Sequence, residues 1–361
     1  MTAFEDLLTW RESSTSGDAV GAALHAADRA PVGARNLLAD ADRFVVTGAG
    51  SSYYLALSVA AAAREVLGRS VLAAPLSELI LRPAGVLVAG PGRSNRAGHA
   101  AGAEPVVIIS RSGSTSEAVT VVERMRSAGH PTIAVTCRRD SPLATLADIT
   151  LVSPAGDEAA IVMTRSFASM LALLLAVVGR VGDDRGLNAD LERIPDRWDE
   201  VVAAAAVGRR LGATDWGRVV ILGGGAAFGI AAEWGLKLTE TSQVATSAYE
   251  PLEFRHGPIS LCEPGTLVVA LVGGAGATEE LAVVREAAAL GATTWVLAGD
   301  GDEAQGAPGE VSLIGGGLQA TARLPMLLHP GHALALSLAL TRGRDPDAPR
   351  HLGQVVILGP E

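Results

Sequence analysis

The strongest constraint on the fold of this chain is a local pattern that occurs once in each half. An apolar run at 43–47 leads into Gly48-Ala49-Gly50-Ser51-Ser52 and then a helical segment, and a run at 218–222 leads likewise into Gly223-Gly224-Gly225. Further short apolar runs alternate with helical segments after each start. This alternation is typical of a parallel sheet flanked by helices. We therefore predict an α/β protein with two doubly wound parallel sheets of the flavodoxin-like type, related by internal duplication.

Shifts in composition predict the domain boundaries. The chain has 361 residues, which is enough for two α/β domains of ordinary size. Phe4, Leu7 and Leu8 follow a helical spacing, which predicts a lead-in that packs on the first domain. The segment 87–104 is rich in Gly, Ala and Arg, and we predict an irregular insertion there. The predicted layout is a helical lead-in at 1–34, a first domain at 35–182, a linker helix at 183–205, a second domain at 206–344 and a C-terminal tail at 345–361.

Composition and charge exclude several classes of protein. The formal net charge is −10, from 29 Lys and Arg against 39 Asp and Glu, which disfavours nucleic acid as a partner. Cys137 and Cys262 lie far apart without a CxxC pattern, so we expect plain buried thiols in a reducing compartment. The start of the chain lacks a signal-peptide pattern. Arg165 and Arg180 bracket the apolar run at 171–178 too closely for a membrane span, so we expect a buried helix in a soluble, cytoplasmic protein.

A hydroxyl-rich loop follows the predicted strand at 105–109. It reads Ser110-Arg111-Ser112-Gly113-Ser114-Thr115-Ser116 and leads directly into a predicted helix. Hydroxyl and amide groups at such a position bind phosphate without basic residues. The Gly/Ser turn at 48–52 has the same kind of donors above its own strand. The alternative is a helix cap with more hydroxyls than it needs, although one cap requires only one hydroxyl.

A row of charged residues marks the helix predicted at 228–243. Glu233, Lys237 and Glu240 are spaced so that a helical period of 3.6 places them on one face among apolar neighbours. His256 follows, directly before Gly257-Pro258, and histidine is the residue type best suited to proton transfer near neutral pH. Carboxylates that transfer a proton between carbons and a histidine that opens a sugar ring suit aldose–ketose chemistry. The spacing alone leaves open a surface helix with an ordinary Glu–Lys ion pair.

We predict no metal and no cofactor. The triglycine at 223–225 lacks an acidic ribose partner at a suitable spacing and is typical of a turn between strand and helix. His329-Pro330-Gly331-His332 has HxxH spacing, but the proline and glycine disfavour helical display and no nearby carboxylate completes a metal site. We therefore expect a loop there, ahead of a last helix at 333–340.

Five segments in order along the chain resemble the sugar isomerase (SIS) family, over about residues 35 to 361. This family includes the isomerase half of glutamine:fructose-6-phosphate amidotransferase, SIS-type glucosamine-6-phosphate deaminases and tagatose/ketose-6-phosphate aldose isomerases. The matching segments are Gly48 to Ser52, Ser110 to Thr115, Glu233 to Glu240, Glu253-Phe254-Arg255-His256-Gly257-Pro258 and Asp345-Pro346-Asp347-Ala348-Pro349-Arg350. The resemblance implies two tandem SIS domains with the C-terminal tail over the active site.

The resemblance also implies roles for individual residues. Glu240 would move a proton between C1 and C2, and Glu233 and Lys237 would line the site. His256 would open the sugar ring within the site of a neighbouring subunit, so the resemblance implies a homodimer. The expected phosphate- and sugar-binding residues are Ser51, Ser52, Ser110, Arg111, Ser112, Gly113, Thr115, Ile161 and Thr164.

Two departures from the family pattern bear on the reaction. Thr2 follows Met1, where the amidotransferase has the cysteine of a glutaminase domain, so we expect no glutamine-fed synthesis. Gln354 stands where that enzyme has a lysine that forms a Schiff base. An amide cannot form an imine, which favours a free enolamine or enediol intermediate.

The resemblance implies an enzyme that converts an amino-hexose 6-phosphate, such as glucosamine 6-phosphate, to a ketose 6-phosphate and ammonia. A ketose-6-phosphate aldose isomerase would use the same groups without deamination. A non-catalytic sugar-phosphate sensor is a third possibility, although the first forty residues are too few for the helix-turn-helix domain that such regulators carry. The sequence does not decide which sugar or epimer is the substrate.

Overall fold

The computed structural model describes residues 3–87, 103–355 and 357 of the chain. Contacts divide the chain into two compact units. We name them the β1–β5 unit, which comprises Asp18–Asp157, Ser166–Asn188 and Gly353–Glu361, and the β6–β10 unit, which comprises Met1–Gly17, Glu158–Arg165 and Ala189–Leu352. The predicted lead-in at 1–34 is thus divided after Gly17: its first part belongs to the β6–β10 unit and the rest to the β1–β5 unit. Most of the insertion predicted at 87–104 lies outside the described residues.

Each unit contains one five-stranded parallel sheet. The strands are β1 (Arg43–Gly48), β2 (Ser70–Pro75), β3 (Val106–Ile109), β4 (Thr132–Thr136), β5 (Ile149–Val152), β6 (Arg218–Gly223), β7 (Ala245–Tyr249), β8 (Thr266–Leu271), β9 (Thr293–Ala298) and β10 (Glu310–Leu313). The orders are β2-β1-β3-β4-β5 and β7-β6-β8-β9-β10, with parallel pairing throughout. Both follow the flavodoxin order, so the predicted fold class is confirmed.

Helices connect these strands in the manner of βαβ units. They are α1 (Leu8–Ser14), α2 (Ser16–Asp28), α3 (Val32–Asp40), α4 (Ser51–Leu67), α5 (Leu76–Leu81), α6 (Ser116–Ser127), α7 (Pro142–Leu146), α8 (Arg165–Val181), α9 (Arg185–Glu192), α10 (Trp198–Gly212), α11 (Ala227–Ser242), α12 (Pro251–Phe254), α13 (Ala277–Ala289), α14 (Ala320–Arg323) and α15 (Leu328–Thr341). Single 3-10 turns occur at Phe4–Asp6, Pro83–Gly85, Pro154–Gly156, Pro195–Arg197, Pro258–Leu261, Gly274–Gly276 and Leu324–Leu327.

The order of the strands positions one crevice at the carboxyl ends of the strands in each sheet. Loops after β1 and β3 lie side by side in the first sheet, and loops after β6 and β8 lie side by side in the second. In both sheets this is the point at which the strand order reverses, and ligands of open α/β sheets bind there, beyond the carboxyl ends of the strands. Both glycine turns singled out in the sequence therefore lie at a crevice.

Two long apolar helices are buried. The run at 171–178 lies in α8 and is buried throughout, as predicted. Among the described residues, one helical stretch, Ala320–Thr341, is long and apolar enough to cross a membrane, yet 83% of its most apolar window is buried within the fold. That burial is what a core helix shows.

The prediction of a loop at 329–332 is wrong. His329, Pro330, Gly331 and His332 belong to α15, which begins at Leu328 rather than at 333. Pro330 is tolerated because the first turn of a helix has no intrahelical partners for its N–H groups. Gly331 is needed because a Cβ at this position would overlap the indole ring of Trp234 on α11.

Candidate active site

Helix α11 carries a buried charged row, Glu233, Lys237 and Glu240. Glu233 is fully buried, Lys237 is 2% exposed and the Glu240 side chain is 18% exposed. The Lys237 Nζ donates to Glu240 Oε2 at 2.5 Å and lies 3.4 Å from Glu233 Oε1. The spacing therefore predicted the shared face correctly. Burial contradicts the alternative of a surface ion pair.

The neighbouring helix fixes this row in place. Trp234 Nε1 on α11 donates to the Leu327 carbonyl at 2.9 Å, just before α15. Two turns further on, the Thr241 hydroxyl lies within hydrogen-bond distance of the Ala335 carbonyl on α15, at 3.3 Å. Lys237 lies between these two contacts on α11. The row is therefore held by helix packing rather than by flexible loops.

The surrounding charges keep Lys237 protonated. Burial acts to lower its pKa, but the negative charges of Glu233, Glu240 and Glu158, with the hydrogen bond to Glu240, raise the pKa above its ordinary value. Lys237 is therefore an ammonium group at neutral pH. A buried ammonium group can pass a proton to a neighbouring carboxylate and take it back without exchange with solvent.

Glu158 is a residue of this region that the sequence reasoning did not identify as part of the site. It is buried and accepts from the Thr164 amide and hydroxyl, the latter at 2.7 Å. Glu12 on α1 accepts from the backbone N–H groups of Ala159 and Ala160 at 2.8 Å each. The segment of the expected sugar-binding residues Ile161 and Thr164 is therefore fixed by two acidic residues. Asp157-Glu158 was visible in the sequence, but without a spacing that tied it to α11.

The hydroxyl-rich loop after β3 is buried and ordered by its own side chains. Ser110, Arg111 and Ser112 are each at most 5% exposed. The Gly113 amide donates to Ser110 Oγ at 3.2 Å, and Gly113 has a φ of +61°. A Cβ on Gly113 would overlap Ser141, so only glycine fits. The expected phosphate-loop residues 110–115 thus form one rigid turn.

The alternative of an excess helix cap finds no support at this loop. Thr115 is the residue before α6, and among the described residues its side chain makes no capping hydrogen bond. Its hydroxyl lies 3.4 Å from Ser110 Oγ instead. Ser51 and Ser52 likewise begin α4, both largely buried beside the β1 end. The two loops follow adjacent strands, so the structure brings both groups of predicted phosphate ligands to one crevice.

The C-terminal tail meets this loop within the β1–β5 unit. Arg111 Nη2 donates to the backbone carbonyl of Gln354 at 3.0 Å. A cavity of about 480 Å³ opens beside Ser112. Its lining residues are Ser112, Ser114, Arg138, Arg139, Asp140, Ser141 and Pro142. Arg138 and Arg139 were not singled out in the sequence, although two adjacent arginines shortly after the buried strand β4 are a usable signal for an anion site.

His256 is placed apart from the charged row within its own unit. It follows α12, and its side chain is exposed. No hydrogen bond or ion pair joins it to Lys237 or Glu240 across the described ranges. Gly257 follows with a φ of +135°, which turns the chain sharply after the histidine.

The crevice of the second sheet has the opposite chemistry. Glu280 of α13 accepts from the Gly273 amide after β8, and Glu303 forms a bidentate pair with Arg323. Burial, opposed by the Gly273 hydrogen bond and assisted by the charges of Glu250 and Glu303, raises the pKa of Glu280 to about 7. Carboxylates repel phosphate, so the described residues of this crevice suit phosphate less well than the hydroxyl-rich loops of the first crevice do.

Comparisons with known proteins bear on the family and the fold of this chain. The family model described as SIS domain matches residues 86–180 and 214–304. The glutamine–fructose-6-phosphate aminotransferase (isomerizing) of Aeropyrum pernix is 31% identical over 350 residues, which cover 91% of this chain and 53% of that protein. The chain spans about half the length of the curated relatives it matches.

Two solved structures share the fold over their whole length. The C-terminal domain of glucosamine-fructose-6-phosphate aminotransferase from Francisella tularensis superposes with a TM-score of 0.83 at 19% identity, covering 96% of this chain and 100% of that one. Glucosamine-6-phosphate deaminase from Thermotoga maritima superposes with a TM-score of 0.76 at 26% identity, covering 97% and 99%.

Proposed function

The chain belongs to the SIS domain family, and on that premise we propose that it is an enzyme that converts an amino-hexose 6-phosphate, such as glucosamine 6-phosphate, to a ketose 6-phosphate and ammonia. The observation that carries this proposal is the buried contact between Lys237 and Glu240. A buried ion pair is expensive to desolvate and contributes little to stability, so its presence favours a chemical role. The likeness to a glucosamine-6-phosphate deaminase over the full length of both chains supports the same reaction.

The proposed chemistry begins with binding and ring opening. Hydroxyl and amide donors of the loops after β1 and β3, from Ser51 and Ser52 to Thr115, hold the phosphate. His256 moves a proton between the ring oxygen and the C1 hydroxyl, which yields the open-chain aldehyde. Its exposed position supports the proposal that it serves the site of a second subunit in a homodimer.

Proton transfer then follows on the open chain. Glu240 takes the proton from C2 while the C1 oxygen gains a proton, which gives an enolamine. It returns that proton to C1 while the amino nitrogen loses one, which leaves an imine at C2 and an alcohol at C1. Water adds to C2, both protons of that water pass to the nitrogen, and the C–N bond breaks, which releases ammonia and leaves the C2 carbonyl of the ketose 6-phosphate. Lys237 holds Glu240 in place and offsets charge on the sugar oxygens. No step requires an imine between sugar and protein, in keeping with Gln354 in the tail.

The test is turnover of glucosamine 6-phosphate by the purified protein, with ammonia and fructose 6-phosphate both measured. We expect equal amounts of the two products, and a loss of at least a hundredfold, roughly the scale of a general base, in Glu240→Gln. Glu123→Gln, at an exposed glutamate of α6, is the matched control and keeps full activity. If the protein converts ketose phosphates to aldose phosphates and releases no ammonia, it is an isomerase rather than a deaminase. Binding of glucosamine 6-phosphate without any turnover would contradict the proposal that the protein is an enzyme.

A further inference from the structure

Two histidines of α15 and one serine of α1 form a buried polar cluster next to the charged row. His329 and His332 are each 2% exposed, and Ser13 is fully buried. The Ser13 Oγ lies 2.8 Å from the Nδ1 atom of each histidine. Trp10 stacks on the His329 ring, with ring centroids 4.8 Å apart. The proposed function does not use any of these residues.

The hydrogen bonds of Ser13 restrict how the two rings are protonated. Burial lowers the pKa of His329 to about 4, and burial, aided by the charges of His329 and Lys237, holds that of His332 well below its ordinary value. At neutral pH each ring is therefore neutral and carries one N–H. Ser13 has a single hydroxyl hydrogen, so it can donate to only one Nδ1. The other ring must donate from its own Nδ1 to Ser13 Oγ.

Packing places His332 at the level of Lys237, close enough for the Lys237 charge to act on its ring. The contacts of Trp234 with Leu327 and of Thr241 with Ala335 bring α11 and α15 together on both sides of this level. Lys237 lies between the first pair and the second on α11, and His332 lies between the same contacts on α15. The Nε2 atom of His332 is buried and has no hydrogen-bond partner among the described residues.

The charge of Lys237 decides which tautomer His332 adopts. A lone pair on a buried nitrogen is stabilised beside an ammonium group, whereas an N–H at the same place would be repelled and left unpaired. His332 therefore carries its hydrogen on Nδ1 and donates to Ser13. Ser13 in turn donates to Nδ1 of His329, which carries its own hydrogen on Nε2.

We propose that His332 is a positioning residue for Lys237: Ser13 fixes its ring with the hydrogen on Nδ1, and the Nε2 lone pair faces the ammonium group and keeps it directed at Glu240. The consequence for catalysis rests on the proposed function of Glu240. The tautomer itself does not depend on that function, because it follows from Ser13, the two rings and the Lys237 charge.

The first test is nitrogen NMR of the wild-type protein with ring-labelled histidine at neutral pH. We expect His332 to show a protonated Nδ1 and an unprotonated Nε2, and His329 to show the reverse. His332→Gln and His329→Gln assign the signals by removing one each, and either variant alone is sufficient to separate the pair. Protonation of His332 at Nε2, or at both nitrogens, would overturn the proposal.

The second test separates positioning from stability. We expect His332→Leu, which keeps bulk but removes the acceptor, to lower kcat by about tenfold to a hundredfold and to leave KM within about twofold, as misplacement of a catalytic group does. His332→Gln can donate to Ser13 and accept from Lys237, so it should recover most of kcat. His130→Leu is the matched control, because His130 is a buried histidine in the other unit that bonds the Glu104 carbonyl.

The outcomes distinguish the two proposals. An unchanged kcat in His332→Leu, or equal loss in His332→Leu and His332→Gln, would show that His332 does not position Lys237. If the wild-type protein does not turn over glucosamine 6-phosphate, the proposed function fails, but the NMR result still confirms or overturns the arrangement of His332, Ser13 and His329.

Discussion

At the scale of single residues, three side chains on one face of α11 are central to the proposed function. Lys237 is buried between Glu233 and Glu240, and its raised pKa shows that the attraction of the carboxylates exceeds the effect of burial. Such an arrangement is stable only while every member is present, because each charge compensates the desolvation of the others. The row therefore links the chemistry of the site to the stability of the β6–β10 unit.

Replacement of Lys237 by Met tests this link. Lys237→Met leaves Glu233 and Glu240 without their ammonium partner, so we expect a loss of about 3 kcal/mol or more in the free energy of unfolding, measured by urea denaturation at neutral pH. We also expect loss of ammonia release. If Lys237→Met unfolds at the same urea concentration as the wild-type protein, the buried ion pair does not contribute to stability as described. Lys237→Arg is the control that keeps the charge.

Ser112 tests the phosphate loop at the same scale. Ser112→Ala removes one hydroxyl donor from the loop after β3, and a hydrogen bond to a charged group is worth about 1.5–3 kcal/mol, so we expect roughly tenfold or more weaker binding of glucosamine 6-phosphate. Calorimetry measures the Kd. Ser127→Ala, at the end of α6, is the control. Unchanged affinity in Ser112→Ala would remove Ser112 from the phosphate site.

At the scale of elements, the central strands and the edge strand β5 were predictable, and the other three edge strands were not. β1, β3, β6 and β8 are buried runs of Val, Ile and Leu, which the sequence shows directly. Strands β2, β7 and β10 lie at sheet edges and are only partly buried, so their apolar signal is weak and the sequence reasoning omitted them.

The residues of the candidate site also fall into two groups, those that the sequence predicted and those that it did not. Spacing along one helix predicted the shared face of Glu233, Lys237 and Glu240, because that face depends only on the helical period. Glu158 and His332 reach Lys237 through tertiary packing, and no local spacing links them to α11. The start of α15 was also missed, since Pro330 and Gly331 argue against a helix until the packing of Trp234 is known.

The acidic crevice of the second sheet gives a prediction for pH. Folded Glu280 retains its proton up to about pH 7, whereas an unfolded glutamate releases it near 4.5. The folded state thus binds more protons in this window, and stability falls as the pH rises through it, by roughly 3 kcal/mol at most. Glu280→Gln cannot titrate, so we expect a smaller loss of stability between pH 5 and pH 8.

Urea unfolding at the two pH values measures this difference. Glu279→Gln, at the neighbouring exposed position of α13, should behave nearly as the wild type does. If Glu280→Gln retains the full pH dependence of the wild-type protein, Glu280 is not the group responsible.

At the scale of the whole molecule, duplication of one fold has produced two crevices with different chemistry. Both sheets have the same strand order. The first crevice has the hydroxyl donors of its loops, while the second has Glu250, Glu280 and Glu303 close together. Identical topology therefore does not imply identical ligands, because the side chains of each crevice determine what it can bind.

The proposed homodimer predicts complementation between two inactive variants. If His256 serves the partner's site, then mixing Glu240→Gln with His256→Ala creates mixed dimers with one complete site. Random pairing gives about one quarter of wild-type activity. The measurement is ammonia release after unfolding and refolding the two variants together. A mixture as inactive as its components would place His256 and Glu240 in the same subunit's site.

The most direct test of the central claim uses glucosamine 6-phosphate that carries deuterium at C2. The proposed reaction breaks the bond between C2 and its hydrogen before ammonia leaves, so every ammonia released must be accompanied by loss of deuterium from C2 and by one fructose 6-phosphate. We expect this stoichiometry in the wild-type protein and neither product in Glu240→Gln. Ammonia released while deuterium stays on C2 would contradict proton transfer by Glu240, and bound sugar phosphate without ammonia would contradict the deaminase.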